Sequence, residues 1–290
     1  MESIFFSLPS NESLTRSLAA KANAEIGSAI IRQFPDHETY IKVISDVREK
    51  RVILVCTLNH PDEKLLPLYF LSKTVKELGA DSIYLVAPYL AYMRQDKRFQ
   101  SGEGITSAYF ASLLSSFADR LITIDPHLHR RSSLSEIYSI PTTAIHAADT
   151  ISQWVKINIE NPVLIGPDSE SEQWVSAIAK KANAPYIILE KIRRSDIDVE
   201  VSVPQVAVYK GYTPVLIDDI ISTARTMIET IGHLLRAGMS NPVCIGVHGI
   251  FAGTAYRDLL AAGVKEVITC NTIMHETNRI GIDDLLFTHL

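Results

Sequence analysis

Val215-Leu-Ile-Asp-Asp-Ile-Ile-Ser-Thr-Ala-Arg-Thr226 carries three signals in immediate succession. Its opening, with Pro214 before it, is a continuous run of strand-forming apolar residues. Two acids, Asp218 and Asp219, follow. Ser222, Thr223 and Thr226 then mark a small hydroxyl-rich turn. Beyond it Met227, Ile228, Ile231, Leu234 and Leu235 recur at helical spacing until Gly238 closes the helix. Strand, turn and helix in this order are the building unit of parallel α/β sheets, and an unbroken apolar strand marks a sheet covered on both faces. Backbone N–H groups at a helix N-terminus, with the three hydroxyls, suit a phosphate. Carboxylates beside them can accept hydrogen bonds from sugar hydroxyls or hold a metal through water. The stretch also fits a plain strand–turn–helix with Ser or Thr as N-cap. Paired acids at a strand end are costly to bury without partners, which favours the functional reading.

The same rhythm extends in both directions. Upstream, Arg51-Val-Ile-Leu-Val-Cys56, Ser82-Ile-Tyr-Leu-Val-Ala87 and Leu121-Ile-Thr-Ile124 read as strands. Helical patterns lie between them, from Lys64 to Leu78 and from Ser107 to Phe117. In the second half, strands are expected at Pro162–Ile165, Tyr186–Leu189, Val206–Tyr209, Val243–Val247 and Glu266–Thr269. Helices are expected through Trp174, Ile178 and Ala179 and from Tyr256 to Ala262. The fold class is therefore α/β, with two similar domains, 1–147 and 148–290, each a mainly parallel sheet flanked by helices.

The 290 residues are 47% hydrophobic and 21% charged, enough apolar material for two packed cores. A formal net charge of −5 argues against a nucleic-acid-wrapping surface. Cys56, Cys244 and Cys270 are far apart in apolar runs, so buried reduced thiols are expected rather than disulfides. The N-terminus lacks a basic segment followed by a long apolar core, and no apolar run is long enough to span a bilayer. A soluble, cytoplasmic protein is expected.

Ligands of open α/β sheets collect at strand carboxyl ends, and several loops there carry chemistry. Tyr92-Met-Arg-Gln-Asp-Lys-Arg98 presents cations suited to phosphates and to stacking on a base, although a charge run is more often a solvated loop. Phe34-Pro-Asp-His-Glu38 offers an aromatic face and two carboxylates, or simply a Pro-Asp turn. Thr123-Ile-Asp-Pro-His-Leu-His-Arg130 puts imidazoles at a strand end. Gly166-Pro-Asp168 fits an N-cap as well as a site, and Leu189-Glu-Lys-Ile-Arg-Arg194 fits a basic surface strand end.

Taken together and in order, these segments resemble the ribose-phosphate pyrophosphokinase family, closest in wording to its archaeal-type members. The 215–226 stretch alone resembles the phosphoribosyl pyrophosphate motif shared with type I phosphoribosyltransferases. The Arg94–Arg98 loop, Ser101-Gly-Glu-Gly-Ile-Thr-Ser107 and the duplicated domain resemble the pyrophosphokinases. Asn271-Thr-Ile-Met274 resembles their C-terminal Asp-Thr-Ile-Pro segment. The resemblance implies two phosphoribosyltransferase-like domains and a Mg²⁺-dependent transfer of diphosphoryl from ATP to ribose 5-phosphate. By it, Lys191 and Arg193 are catalytic. Phe34, Asp36, Glu38, Arg94, Gln95, Asp96, Arg98 and His127 bind ATP. Asp168, Asp218, Asp219, Ser222, Thr223, Ala224, Arg225 and Thr226 bind ribose 5-phosphate, and His127 and Asp168 contact the metal. It also implies a homo-oligomer, dimer or hexamer, with a shared nucleotide site, and neither nucleic-acid nor membrane partners. The alternative is a catalytically silent regulatory subunit, or less readily a type I phosphoribosyltransferase. Three departures stand out: His37 and Arg225 where the family usually has glycine, and Ser169-Glu-Ser-Glu where it has Gly-Gly. If position 225 needs positive φ, its side chain costs about 1 kcal/mol.

Overall fold

The computed structural model describes residues 1–128, 130–167, 171–193, 199–202 and 206–290. They form two compact units, Met1–Ile145 together with Asp283–Leu290, and His146–Ile282.

The first unit runs β1 (Ser3–Ser7), α1 (Glu12–Lys21), β2 (Glu25–Ile26), a hairpin of β3 (Ala29–Gln33) and β4 (Thr39–Val43), then β5 (Arg51–Val55), α2 (Pro61–Glu77), β6 (Ser82–Ala87), α3 (Thr106–Ser115), β7 (Arg120–Ile124) and β8 (Thr142–Ile145). Its six-stranded sheet has the order β2-β1-β5-β6-β7-β8 with every neighbour parallel. Val52–Val55 and Leu121–Ile124 are buried throughout, as unbroken apolar strands require.

The second unit repeats the plan: α4 (Ala148–Asn158), β9 (Pro162–Gly166), α5 (Glu172–Ala182), β10 (Tyr186–Ile188), a hairpin of β11 (Glu190–Arg193) and β12 (Val199–Ser202), β13 (Thr213–Ile221), α6 (Arg225–Arg236), β14 (Val243–Gly249), α7 (Ala255–Ala261), β15 (Glu266–Cys270) and β16 (Asn278–Ile280). Its sheet order, β10-β9-β13-β14-β15-β16, is the first sheet's order one domain later. In each unit an antiparallel hairpin outside the main sheet interrupts the chain after the second strand. The final helix, α8 (Asp283–Phe287), belongs to the first unit, where Asp284 pairs with Lys21 of α1.

One expected strand is absent. Val206–Tyr209 is a 3-10 turn, with Val206 buried and Val208 exposed. Four apolar residues are too few for their period to separate strand from helix.

The crossovers change direction between β1 and β5 in one unit and between β9 and β13 in the other. Ligand crevices form at such switch points. The three cysteines are free and buried. Burial pushes the Cys56 thiol up to about 12, and that of Cys244 also upward. Iodoacetamide at pH 8 should therefore leave the native protein unlabelled and modify all three thiols in denaturant. Native-state labelling seen by mass spectrometry would contradict this burial.

Candidate active site

At the second unit's switch point β13 outruns β9. Their pairing ends at Leu216 and Ile165, whereas pairing with β14 continues to Ile221 and Gly249. The edge carrying Asp218 and Asp219 thus faces the crevice past the end of β9, and both residues are half-buried there. The Asp219 N–H donates to Asp218 Oδ1 at 3.0 Å. Beyond Ile221 the chain makes a three-residue turn into α6. Asp218 and the turn from Ile220 to Met227 line a cavity of about 90 Å³, several times the roughly 10–15 Å³ that one water requires.

The turn's backbone makes this cavity suited to an anion. Ala224, the N-cap of α6, has φ +57°, and no side chain caps the helix. The first helical hydrogen bond runs from the Ile228 N–H to the Ala224 carbonyl. The N–H groups of Arg225, Thr226 and Met227 therefore lack helical acceptors. The first turn has no acidic residue, so no side chain of the helix itself offsets the positive end of its dipole. Neither Ser222 nor Thr223 is the cap, which corrects the simple capping alternative. The feared strain at Arg225 is also corrected: Arg225 is the first residue of α6 and exposed, and the left-handed position is Ala224.

A neighbouring loop braces the turn. Ile250 and Phe251 both donate their N–H to the Ile221 carbonyl, and Ala252 donates to Ser222, each at 3.0 Å. Close packing behind the brace needs glycine. A Cβ on Gly246 would lie 2.6 Å from Ile221, and one on Gly249 would lie 2.6 Å from the Phe251 ring. Phe251 itself takes φ +49°, a costly backbone for a bulky residue, held by these contacts.

In the first unit Phe34, Asp36 and Glu38 form the tip of the β3–β4 hairpin. Phe34 donates its N–H to the Glu38 carbonyl, and His37 donates to Phe34, at 2.8 and 2.9 Å. Asp36 Oδ1 accepts the Glu38 N–H. The Arg32 guanidinium lies 4.7 Å from the Phe34 ring centroid and 4.3 Å from that of Tyr40. His37 has φ +69°, so the chain keeps the left-handed turn that glycine would favour. His37→Gly should then raise stability by up to about 1 kcal/mol, read as a higher thermal midpoint. A lowered midpoint would contradict the strain.

The loop after β6 divides its residues between anchoring and display. Asp96 is buried and accepts from Arg130 at 3.1 Å, while Arg131 donates to its carbonyl. Gln95 accepts from the Thr106 hydroxyl at 2.9 Å, and its carbonyl takes the Ser107 N–H. Tyr92, at φ +61°, donates its hydroxyl to Asp62 of α2. Arg94 and Arg98 remain exposed, Arg98 donating through Nε to the Glu103 carbonyl at 3.0 Å. β6 pairs with β7, so this loop neighbours the one carrying half-buried His127, and the Asp96–Arg130 pair ties the two together. Sequence reasoning did not assign Arg130, Arg131, Asp62 or Tyr92. A buried carboxylate's need for a cation was the available signal for Arg130.

Lys191 and Arg193 are in β11, opposite Val201 and Val199 of β12. Asp168, Ser169, Glu170 and His129 lie outside the described residues. Among the described residues no group of three or more His, Cys, Asp or Glu could hold a metal by itself. Within the second unit, the Asp218 carboxylate at the phosphate-sized cavity fits a hard cation that takes most of its ligands from phosphate and water.

A phosphoribosyl transferase domain model matches residues 133–284, and a model described as the N-terminal domain of ribose phosphate pyrophosphokinase matches residues 3–117. The chain belongs to the ribose-phosphate pyrophosphokinase family. The family's protein from Saccharolobus solfataricus is 34% identical over 254 residues, 86% of each chain. That from Methanothermobacter thermautotrophicus is 31% identical over 278 residues, 95% of each. The phosphoribosylpyrophosphate synthetase structure from Mycobacterium smegmatis superposes with a TM-score of 0.87 at 22% identity, covering 100% of this chain and 97% of that one. The fold is thus that of the family, two phosphoribosyltransferase-like α/β domains.

Proposed function

We propose that this chain transfers the diphosphoryl group of ATP to ribose 5-phosphate, giving phosphoribosyl pyrophosphate and AMP. One observation carries the reading: an uncapped helix N-terminus and the strand-end carboxylate of Asp218 line one cavity of phosphate size. The turn from Ser222 to Thr226 would hold the 5-phosphate, and Asp218 and Asp219 would accept from the ribose hydroxyls. Phe34 would stack on the adenine, with Asp36 and Glu38 near its amine. Arg94 and Arg98 would meet the ATP phosphates, with Gln95 and Asp96 fixing their loop. The C1 hydroxyl attacks the β-phosphorus in line, its bond to the α-phosphate oxygen breaks, AMP departs and the hydroxyl proton passes to water. Lys191 and Arg193 would stabilise the charge that develops on the transferring group. His127 and Asp168 would hold Mg²⁺, which when bound neutralises phosphate charge. Positioning and electrostatics suffice for such chemistry, so no general base is required.

A homo-oligomer, dimer or hexamer, with a shared nucleotide site follows from the family reading. A cytoplasmic setting accords with the fact that no helix among the described residues is long and apolar enough to cross a membrane. The test follows the label: ATP marked at the β-phosphate should deliver it to the sugar product and leave AMP unlabelled. Label remaining in ATP and ADP, with none reaching the sugar, would defeat the proposal.

A further inference from the structure

The loop that braces the phosphate turn is itself held by a histidine. Ile250, Phe251 and Ala252 give their N–H groups to Ile221 and Ser222, and Phe251 does so from a left-handed backbone, φ +49°. A bulky residue keeps such a backbone only where its surroundings over-determine it. The Phe251 ring packs against the core cluster that contains Ile221, Ala224 and Met227. It also meets His275, with ring centroids 4.5 Å apart and planes tilted by 39°. Tyr256 of α7 completes a triangle, 5.3 Å from Phe251 and 4.9 Å from His275. Tilted and edge-on rings at these separations attract one another.

His275 is fixed by its own segment. Its backbone N–H donates to Asn278 Oδ1 at 2.9 Å, and its Nδ1 accepts the Thr277 N–H at 3.3 Å. Thr277 Oγ1 lies 3.0 Å from the same Nδ1 and 2.8 Å from Thr269 Oγ1 on β15. Asn278 Nδ2 donates to that Thr269 hydroxyl at 2.8 Å. A backbone N–H can only donate, so Nδ1 must be bare and the neutral ring carries its proton on Nε2. Protonation at Nδ1 would take the acceptor away from the Thr277 N–H. Burial also holds the imidazole below its ordinary pKa, against the opposing pull of Glu276. The neutral ring is therefore the form present near pH 7, and it is lost on acidification. Glu276 and Arg279 are the charged groups of the same segment, and α7 brings the Tyr256 phenol. The 250–252 loop and β15 meet the histidine segment through Phe251 and Thr269, which carry no charge.

We propose that His275 is a positioning residue for the phosphate turn: its ring seats Phe251, and Phe251 seats the loop that holds Ile221 and Ser222. The inference rests on reading that turn as the ribose 5-phosphate site, and one arm of its test does not. Amide hydrogen exchange of Ile250, Phe251 and Ala252 would be followed in the full chain. Ribose 5-phosphate affinity would be measured beside it by calorimetry, with magnesium and a non-hydrolysable ATP analogue present. Near neutral pH, His275→Ala should speed exchange at the three amides and weaken ribose 5-phosphate binding at least fivefold. His275→Phe keeps a ring against Phe251 and Tyr256 without a titrating group, and should restore most of both. Between about pH 7.5 and 5.5 the wild-type affinity should fall more steeply than that of His275→Phe. Titration of the sugar phosphate itself cancels from that difference. Faster exchange in His275→Ala, alongside a wild type that binds no ribose 5-phosphate, would uphold the brace and defeat the substrate reading. Unchanged exchange in His275→Ala would overturn the proposal, as would unchanged ribose 5-phosphate affinity or pH profiles that run parallel in wild type and His275→Phe.

Discussion

Lys191→Ala should lower turnover by about a hundred- to a thousandfold while changing the KM for either substrate only slightly. The proposed role is to meet charge that appears in the transition state, and loss of one preorganised donor of that kind costs about 2.7–4 kcal/mol. The position predicts a clean experiment. Lys191 is on β11, which among the described residues pairs with β12 in a two-stranded hairpin outside the six-stranded sheet. The thermal midpoint should therefore stay within a degree or two of wild type, since β11 is not a strand of the sheet around which the second unit packs. A large rise in KM with turnover preserved would recast Lys191 as a ground-state binding residue.

Asp219→Ala should act in the opposite way, raising the KM for ribose 5-phosphate by about ten- to a hundredfold with a smaller change in turnover. A carboxylate accepting from neutral hydroxyls contributes about 1.5–3 kcal/mol per charge-assisted hydrogen bond. Asp219 sits on the β13 edge beyond the end of β9, where a sugar can reach it. Asp218→Ala should be at least as damaging, because Asp218 also accepts the Asp219 N–H and so shapes the strand end itself. Substrate titrations of both variants check this. An unchanged KM for Asp219→Ala would remove it from the acceptor site.

Much of this architecture could be read from the residues. The unbroken runs Arg51–Cys56, Leu121–Ile124 and Val243–Val247 are legible as central parallel strands because burial on both faces leaves no polar alternation. The 215–226 stretch is legible because strand, acids, small turn and helix fall in one short window. What escaped reading depends on three-dimensional partners. Nothing in Arg-Gln-Asp-Lys-Arg distinguishes Asp96, which turns inward to Arg130, from Arg94 and Arg98, which stay outside. The left-handed residue of the phosphate turn is Ala224, one place before the departure from glycine that drew attention. That depends on where α6 begins, and cap positions are the least legible part of a helix. The hairpin His37 shows the converse: the residue changed while the backbone kept its φ, because the hydrogen bonds between Phe34 and Glu38 close the turn regardless. The return of α8 to the first unit has no local signature, since it rests on a contact with Lys21 far away in sequence.

Acceptor-dependent AMP release tests the proposed diphosphoryl transfer. Purified protein would be incubated with ATP and magnesium, with and without ribose 5-phosphate, beside the Lys191→Ala variant. AMP should form only when the sugar is present and should fall at least a hundredfold in the variant. A folded, ATP-binding protein that forms no AMP with the sugar, or forms it equally without, would rule out diphosphoryl transfer to ribose 5-phosphate.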